Sequence, residues 1–156
     1  MIAATKNWDG NQSEVVFDVE GVAVEGTLVV PTDAQGVVLF AHGSGSSRYS
    51  PRNRYVAQLL HSQGIGTLLF DLLTRQEELA DQRSGELRFD IPFLARRLVG
   101  ATRWIADNPS TRDLKVRYFG ASFPFAPAEP PTDTTIVGIV DSVHVKSAPA
   151  VRTGRA

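Results

Sequence analysis

Val37-Val-Leu-Phe-Ala-His-Gly-Ser-Gly-Ser-Ser-Arg48, closed two residues later by Ser50-Pro51, is the stretch on which the fold turns. Its first five residues are apolar without alternation, as expected of a strand buried on both faces inside a parallel sheet. The glycine- and serine-rich run after it is a loop. Ser50 then supplies an N-cap, and Pro51 a first helical residue whose missing N–H costs nothing. Gly64 is placed to end that helix. Within it Val56, Leu59, Leu60 and Gln63 give one mostly apolar stripe, and His61 near the C-terminus reads as a surface residue favourable to the helix dipole.

Working outward, the same alternation of apolar runs and amphipathic stretches continues. Upstream, Val15, Phe17 and Val19 alternate with polar residues, Glu20-Gly21 supplies a turn, and Val22-Ala-Val-Glu-Gly-Thr-Leu-Val-Val30 returns, which predicts a β-hairpin. Downstream, Thr67-Leu-Leu-Phe70 is a second buried strand and ends in Asp71. Residues 74 to 85 read as loop or exposed helix. Asp90 caps a helix along which Ile91, Leu94, Leu98, Ala101 and Ile105 recur at steps of three and four. Asn108-Pro109 closes it, and Leu114-Lys-Val-Arg-Tyr-Phe119 forms a strand running into Gly120-Ala-Ser122. The pattern predicts an α/β fold: a mainly parallel sheet with flanking helices and an N-terminal β-hairpin. Sites in such sheets lie beyond the carboxyl ends of the strands, so the segment beginning at His42, Asp71 and Ser122 are the positions to watch.

Composition narrows the chemistry. The chain has 156 residues, no cysteine, and 16 basic against 17 acidic side chains, which describes one soluble domain. Lack of cysteine excludes a thiol nucleophile, a disulfide framework and a cysteine-ligated zinc site. A net charge of -1 shows no bulk basic excess of the kind that nucleic-acid binding displays. The three histidines are scattered without metal-ligand spacing, so no metal is expected. Gly43-Ser-Gly45 lacks the rest of a dinucleotide or phosphate-loop fingerprint, so no cofactor is expected either. No apolar run approaches a membrane span, and residues 1 to 10 lack the order of a secretory signal, which makes the cytoplasm the expected compartment.

Gly120-Ala-Ser122 looks like the first half of a nucleophile elbow, the strand-to-helix turn that presents a serine hydroxyl above a sheet, although Phe123-Pro124 does not supply its second half. Together with Val38-Leu-Phe-Ala-His-Gly-Ser-Gly-Ser-Ser-Arg48, Ser50-Pro-Arg-Asn-Arg54, Thr67-Leu-Leu-Phe-Asp-Leu-Leu-Thr74 and Tyr118-Phe-Gly-Ala-Ser122, it makes residues 14 to 122 resemble the α/β-hydrolase superfamily, and within it the dienelactone-hydrolase-like group. That group is sometimes fused to a phosphoribosyltransferase domain, of which this chain shows nothing. The resemblance implies a serine hydrolase of a carboxylic ester, thioester or lactone, with a small-molecule substrate. Ser122 would be the nucleophile. Backbone amides near Gly43 or Ser44 and that of Phe123 would hold the oxyanion, with His42 opening the loop. An acid and a histidine would follow in the chain order serine, acid, histidine.

Residues 123 to 156 read differently. Five of the nine prolines, Pro124, Pro127, Pro130, Pro131 and Pro149, fall there, against the helix an elbow requires. An extended, Pro-rich, poorly ordered tail is expected, with Thr135-Ile-Val-Gly-Ile-Val140 free to add one edge strand. That run ends in Asp141, with His144 three residues on, and these are the acid and base candidates; Asp133 is a further acid candidate. The alternative to an active hydrolase is a truncated, non-catalytic relative, or a binding or assembly module that self-associates through an exposed sheet edge. Arg48, Arg52 and Arg54 beside the loop are either contacts for an anionic substrate or structural charges. Asp71 supports the site or caps a loop.

Overall fold

The computed structural model describes residues 12–41, 47–121 and 136–141. Six strands form one sheet: β1 (Gln12–Val19), β2 (Val22–Val29), β3 (Gly36–Ala41), β4 (Ile65–Phe70), β5 (Lys115–Ala121) and β6 (Ile136–Asp141), in the order β1-β2-β4-β3-β5-β6. β4, β3 and β5 are mutually parallel. β1 pairs antiparallel with β2 and β2 with β4, so β1, β4, β3 and β5 share one direction, while β2 and β6 run against it. The expected α/β architecture is therefore present, with the parallel pairings at the centre. The hairpin turns at Glu20-Gly21, both at positive φ (54° and 82°), which matches the right-handed twist of its strands.

Two helices cover opposite faces of the sheet. α3 (Ile91–Asp107) packs Leu94, Leu98, Ala101, Trp104 and Ile105 against Phe17, Val24, Val37, Leu39, Leu68 and Phe70. Trp104 stacks on Phe17 at 4.9 Å between ring centroids, and Phe17 meets Phe70 edge-on at 6.1 Å. Such pairs add about 0.5–1.5 kcal/mol each beyond their burial. Ile91 departs from the expected stripe and is exposed. It is the first helical residue, and its side chain leans towards the helix start, beyond the packed turns.

α1 (Pro51–Ser62) covers the other face, where Val38, Phe40, Leu69 and Phe119 form the smaller core with Ala57. Ser50 caps it, accepting from the Asn53 amide. Its buried stripe is Asn53, Ala57 and His61, whereas Leu59 is exposed. The surface reading of His61 is thus corrected. The imidazole lies in the interface with Nε2 2.7 Å from the Thr67 hydroxyl on β4, a polar partner that makes its burial tolerable. Burial pushes its pKa below the ordinary histidine value. The unfolded chain therefore takes up a proton near pH 6.5 that the folded chain resists, so this contribution is intact above that value and is lost as pH falls through it. The urea midpoint of the native chain should fall between about pH 7 and pH 5.5, and His61→Gln should flatten that fall; an unchanged pH slope in the variant would contradict it.

The region predicted as loop or exposed helix contains α2 (Arg75–Ser84), held by a full capping box between Thr74 and Glu77 and ended by Gly85 in the left-handed region. Asp81, buried at its end, accepts from the Leu87 and Arg88 amides and from Arg88 Nε at 2.7 Å, which fixes the turn into a short 3₁₀ segment, Leu87–Phe89.

Gly100 in α3 marks a close approach of helix to sheet. A Cβ there would stand 2.3 and 2.6 Å from the two γ-carbons of Val19. Val19 is β-branched and buried, so it has no free rotamer to give way. Helix propensity alone would favour Gly100→Ala by about 1 kcal/mol, but overpacking costs about 1–3 kcal/mol. Urea denaturation should show net destabilisation, partly relieved by adding Val19→Ala; a more stable single variant would contradict this packing.

Candidate active site

The carboxyl ends of the parallel strands form one edge. β3 ends at Ala41, whose neighbour in the register is Gly120 of β5, and Phe40 lies opposite Leu69 of β4. β5 ends at Ala121 and β4 at Phe70, followed by Asp71. Neighbouring strands stand about 4.8 Å apart, so Ala41 and Ala121, which immediately precede His42 and Ser122, leave adjacent strands within one residue of the same level. His42, Gly43, Ser44, Ser122, Phe123, Asp133 and His144 themselves lie outside the described residues.

Asp141 is placed by its backbone. β6 pairs antiparallel with β5, with Ile136 opposite Ala121 and Asp141 opposite Arg117. Asp141 is therefore about 13 Å back along β5 from the Ala121 end, at 3.3 Å per residue. The structure does not bring it to the edge where β5 runs into Ser122.

Beside that edge Arg48 and Asp71 meet. Ser47 and Ser50 close a turn, with Ser50 N–H donating to the Ser47 carbonyl at 3.0 Å, and Arg48 sits within it. Its backbone N–H donates to Asp71 Oδ1 at 2.9 Å. The guanidinium Nη1 donates to the other oxygen of Asp71 and, at 3.0 Å, to Glu25 Oε2 of β2. Nη2 donates to the Tyr49 hydroxyl at 2.7 Å and lies 3.7 Å from Glu14 of β1, while the guanidinium carbon stands 4.6 Å from the Tyr49 ring centroid. Burial alone would lower the Arg48 pKa, but the Asp71 charge and the bonds to Glu25 and Asp71 outweigh it and the net shift is upward. Arg48 is thus not a free cation awaiting an anionic substrate. Its contacts are those of a clamp between loop and sheet, the structural alternative that the sequence left open. Asp71 is the acid half of that clamp. Arg52 and Arg54 are exposed, and Arg54 lies 5.6 Å from the Tyr49 ring centroid.

A second ion pair secures the segment leaving β4. Arg97 of α3 is buried and donates from Nη1 to Glu77 Oε2 at 3.0 Å, from Nη2 to Glu77 Oε1, and to the Leu72 carbonyl at 3.4 Å. Glu25, Tyr49 and Arg97 were not legible as partners, since a polar or charged residue on a strand, turn or helix reads as solvated until its neighbours are known. The Thr74-to-Glu77 spacing was the one available signal for α2. Among the described residues no group of three His, Cys, Asp or Glu could hold a metal ion, and no helix is long and apolar enough to cross a membrane.

No protein-family model matches the chain. It is 59% identical to a dienelactone hydrolase from Anabaena variabilis whose crystal structure is known, with a TM-score of 0.69 over 72% of this chain and 53% of that one. An esterase from Pyrococcus furiosus shares the fold at a TM-score of 0.54 and 18% identity, over 74% of this chain and 42% of its own. In two strains of Mycobacterium tuberculosis a protein named as a phosphoribosyl transferase is 55% identical over 101 residues, which are 65% of this chain and 22% of that protein. The chain thus spans about half of the Anabaena hydrolase and about a fifth of the mycobacterial protein. By strand order, strand-end sequence and this identity, the chain has the α/β-hydrolase fold and resembles the dienelactone-hydrolase-like group of that superfamily.

Proposed function

We propose that this chain is a serine hydrolase of a carboxylic ester, thioester or lactone, with Ser122 as nucleophile. The observation that carries this reading is the register of Ala41 against Gly120, which attaches the HGSGSS loop and Ser122 to adjacent strands at one edge of the sheet. The 59% identity to a dienelactone hydrolase supports the same chemistry. Ser122 Oγ adds to the acyl carbonyl while a base takes its proton, and backbone amides near Gly43 or Ser44 and of Phe123 hold the oxyanion. Collapse of that intermediate expels the alcohol or thiol, which receives the proton. Water then attacks the acyl-serine and releases the carboxylic acid. The base on this reading is a histidine other than His61, which is buried against Thr67 on the α1 face. The phosphoribosyl transferase name is not carried over, because 22% of that protein is matched.

A second reading, a non-catalytic relative that retains the fold, is favoured by one observation: Asp141 pairs opposite Arg117, away from the Ser122 end of β5. Its edge strands β1 and β6 would then be surfaces for self-association. Release of p-nitrophenol from p-nitrophenyl acetate by the folded chain separates the two. The hydrolase reading expects turnover above buffer; a rate equal to buffer leaves the non-catalytic reading standing.

A further inference from the structure

Residues 42–46 connect two fixed points. One is Ala41 at the end of β3, a strand paired on both sides. The other is Arg48, and a single carboxylate fixes it: Asp71 accepts both the backbone N–H and the guanidinium of the same residue. A guanidinium on its flexible stem can follow a carboxylate while the backbone shifts. A backbone amide bonded at 2.9 Å cannot, so this contact sets the position of the chain itself. Asp71 is held in turn, because its own amide donates to the Glu25 carbonyl at 3.0 Å where β4 pairs with β2. Tyr49 closes the arrangement, its hydroxyl accepting from Arg48 Nη2 and its amide donating to Ser47 Oγ at 3.2 Å.

From this geometry we infer that Arg48 and Asp71 are positioning residues for the proposed hydrolase site, fixing the level at which the loop between β3 and α1 stands relative to the end of β5. The inference rests on the hydrolase reading and adds to it a control on transition-state geometry, since amides displaced by about 1 Å from a developing oxyanion cost on the order of 100-fold in rate.

The test pairs kinetics with amide hydrogen exchange on the full chain. In Asp71→Ala, kcat for p-nitrophenyl acetate should fall about 100-fold with KM changed little. Asp71→Asn keeps an acceptor for the Arg48 amide and loses the charge, so it should fall in between. Exchange should quicken in residues 42–47 while β3 and α1 keep their protection. If Asp71→Ala does not fold, Asp71→Asn and Arg48→Lys carry the same two readouts. A folded variant with native kcat overturns the inference, as does faster exchange spread evenly over the sheet, which would mark a general stability element. A native chain without turnover overturns the hydrolase reading and this inference with it; an active native chain with an equally active Asp71 variant overturns the inference alone.

Discussion

On the proposed reading, replacing Ser122 with alanine should bring ester hydrolysis down by about 10⁶-fold, the order lost when a serine hydrolase is deprived of its nucleophile while its oxyanion donors remain. The covalent route is lost entirely, because the alanine methyl has no lone pair to add to the carbonyl. The fold should not notice. β5 is joined to β3 from Lys115 opposite Gly36 up to Gly120 opposite Ala41, and none of that pairing uses a hydroxyl at position 122. Circular dichroism and the melting temperature of Ser122→Ala should therefore match the native chain while turnover of p-nitrophenyl acetate vanishes. Native turnover in the variant would assign any activity to another residue.

Replacing Glu77 with glutamine destabilises the fold by about 3 kcal/mol, the lower end of what breaking a buried ion pair costs. Arg97 is 5% exposed and Glu77 is 23% exposed, so water screens part of the attraction while the guanidinium itself has little access to solvent. Left without its countercharge, it keeps a neutral carbonyl acceptor on the glutamine, the Leu72 carbonyl and the Phe93 ring, whose centroid is 4.7 Å away. Glu77 also accepts from the Thr74 amide at 2.8 Å, so the same substitution weakens the start of α2. Burial alone would raise the Glu77 pKa, but the bonds from Arg97 and Thr74 outweigh it and hold the carboxylate below its ordinary value. Its contribution is accordingly full above the unfolded value of 4.5 and is lost as pH falls through the lower folded value. Chemical denaturation at pH 7 measures the loss. Adding Arg97→Met removes the stranded charge and should restore part of the stability; a double variant as unstable as the sum of the single ones would show that the pair does not act as a pair.

The sequence made β3 and α1 legible because three independent signals coincide there: a non-alternating apolar run, a glycine-rich break and a Ser-Pro cap. The long stripe of α3 was legible for the same reason, as its period is sustained from Leu94 to Ile105. The buried face of α1 was not, because Asn53 and His61 are polar and hydropathy assigns them to water. Only the Thr67 hydroxyl across the interface explains the place of His61. Gly100 reads as a weak helix residue until Val19 is seen beneath it. The place of Asp141 was not legible for a more basic reason. The apolar run before Asp141 predicts a strand, but an apolar run carries no direction. By pairing antiparallel with β5 it takes Asp141 to the other end of the sheet. Arg48 and Asp71 could each be singled out from sequence, yet their pairing could not, since 23 positions separate them and the contact exists only once β3 and β4 lie side by side.

The claim on which the rest depends is that the chain presents a reactive serine at the carboxyl end of β5. A fluorophosphonate probe forms a bond from phosphorus to an activated serine oxygen with loss of fluoride, and peptide mapping by mass spectrometry then locates the adduct. The account predicts one adduct, on Ser122, in the folded chain and none after denaturation or in Ser122→Ala. A folded chain that takes no label, or takes it on another residue, would contradict it.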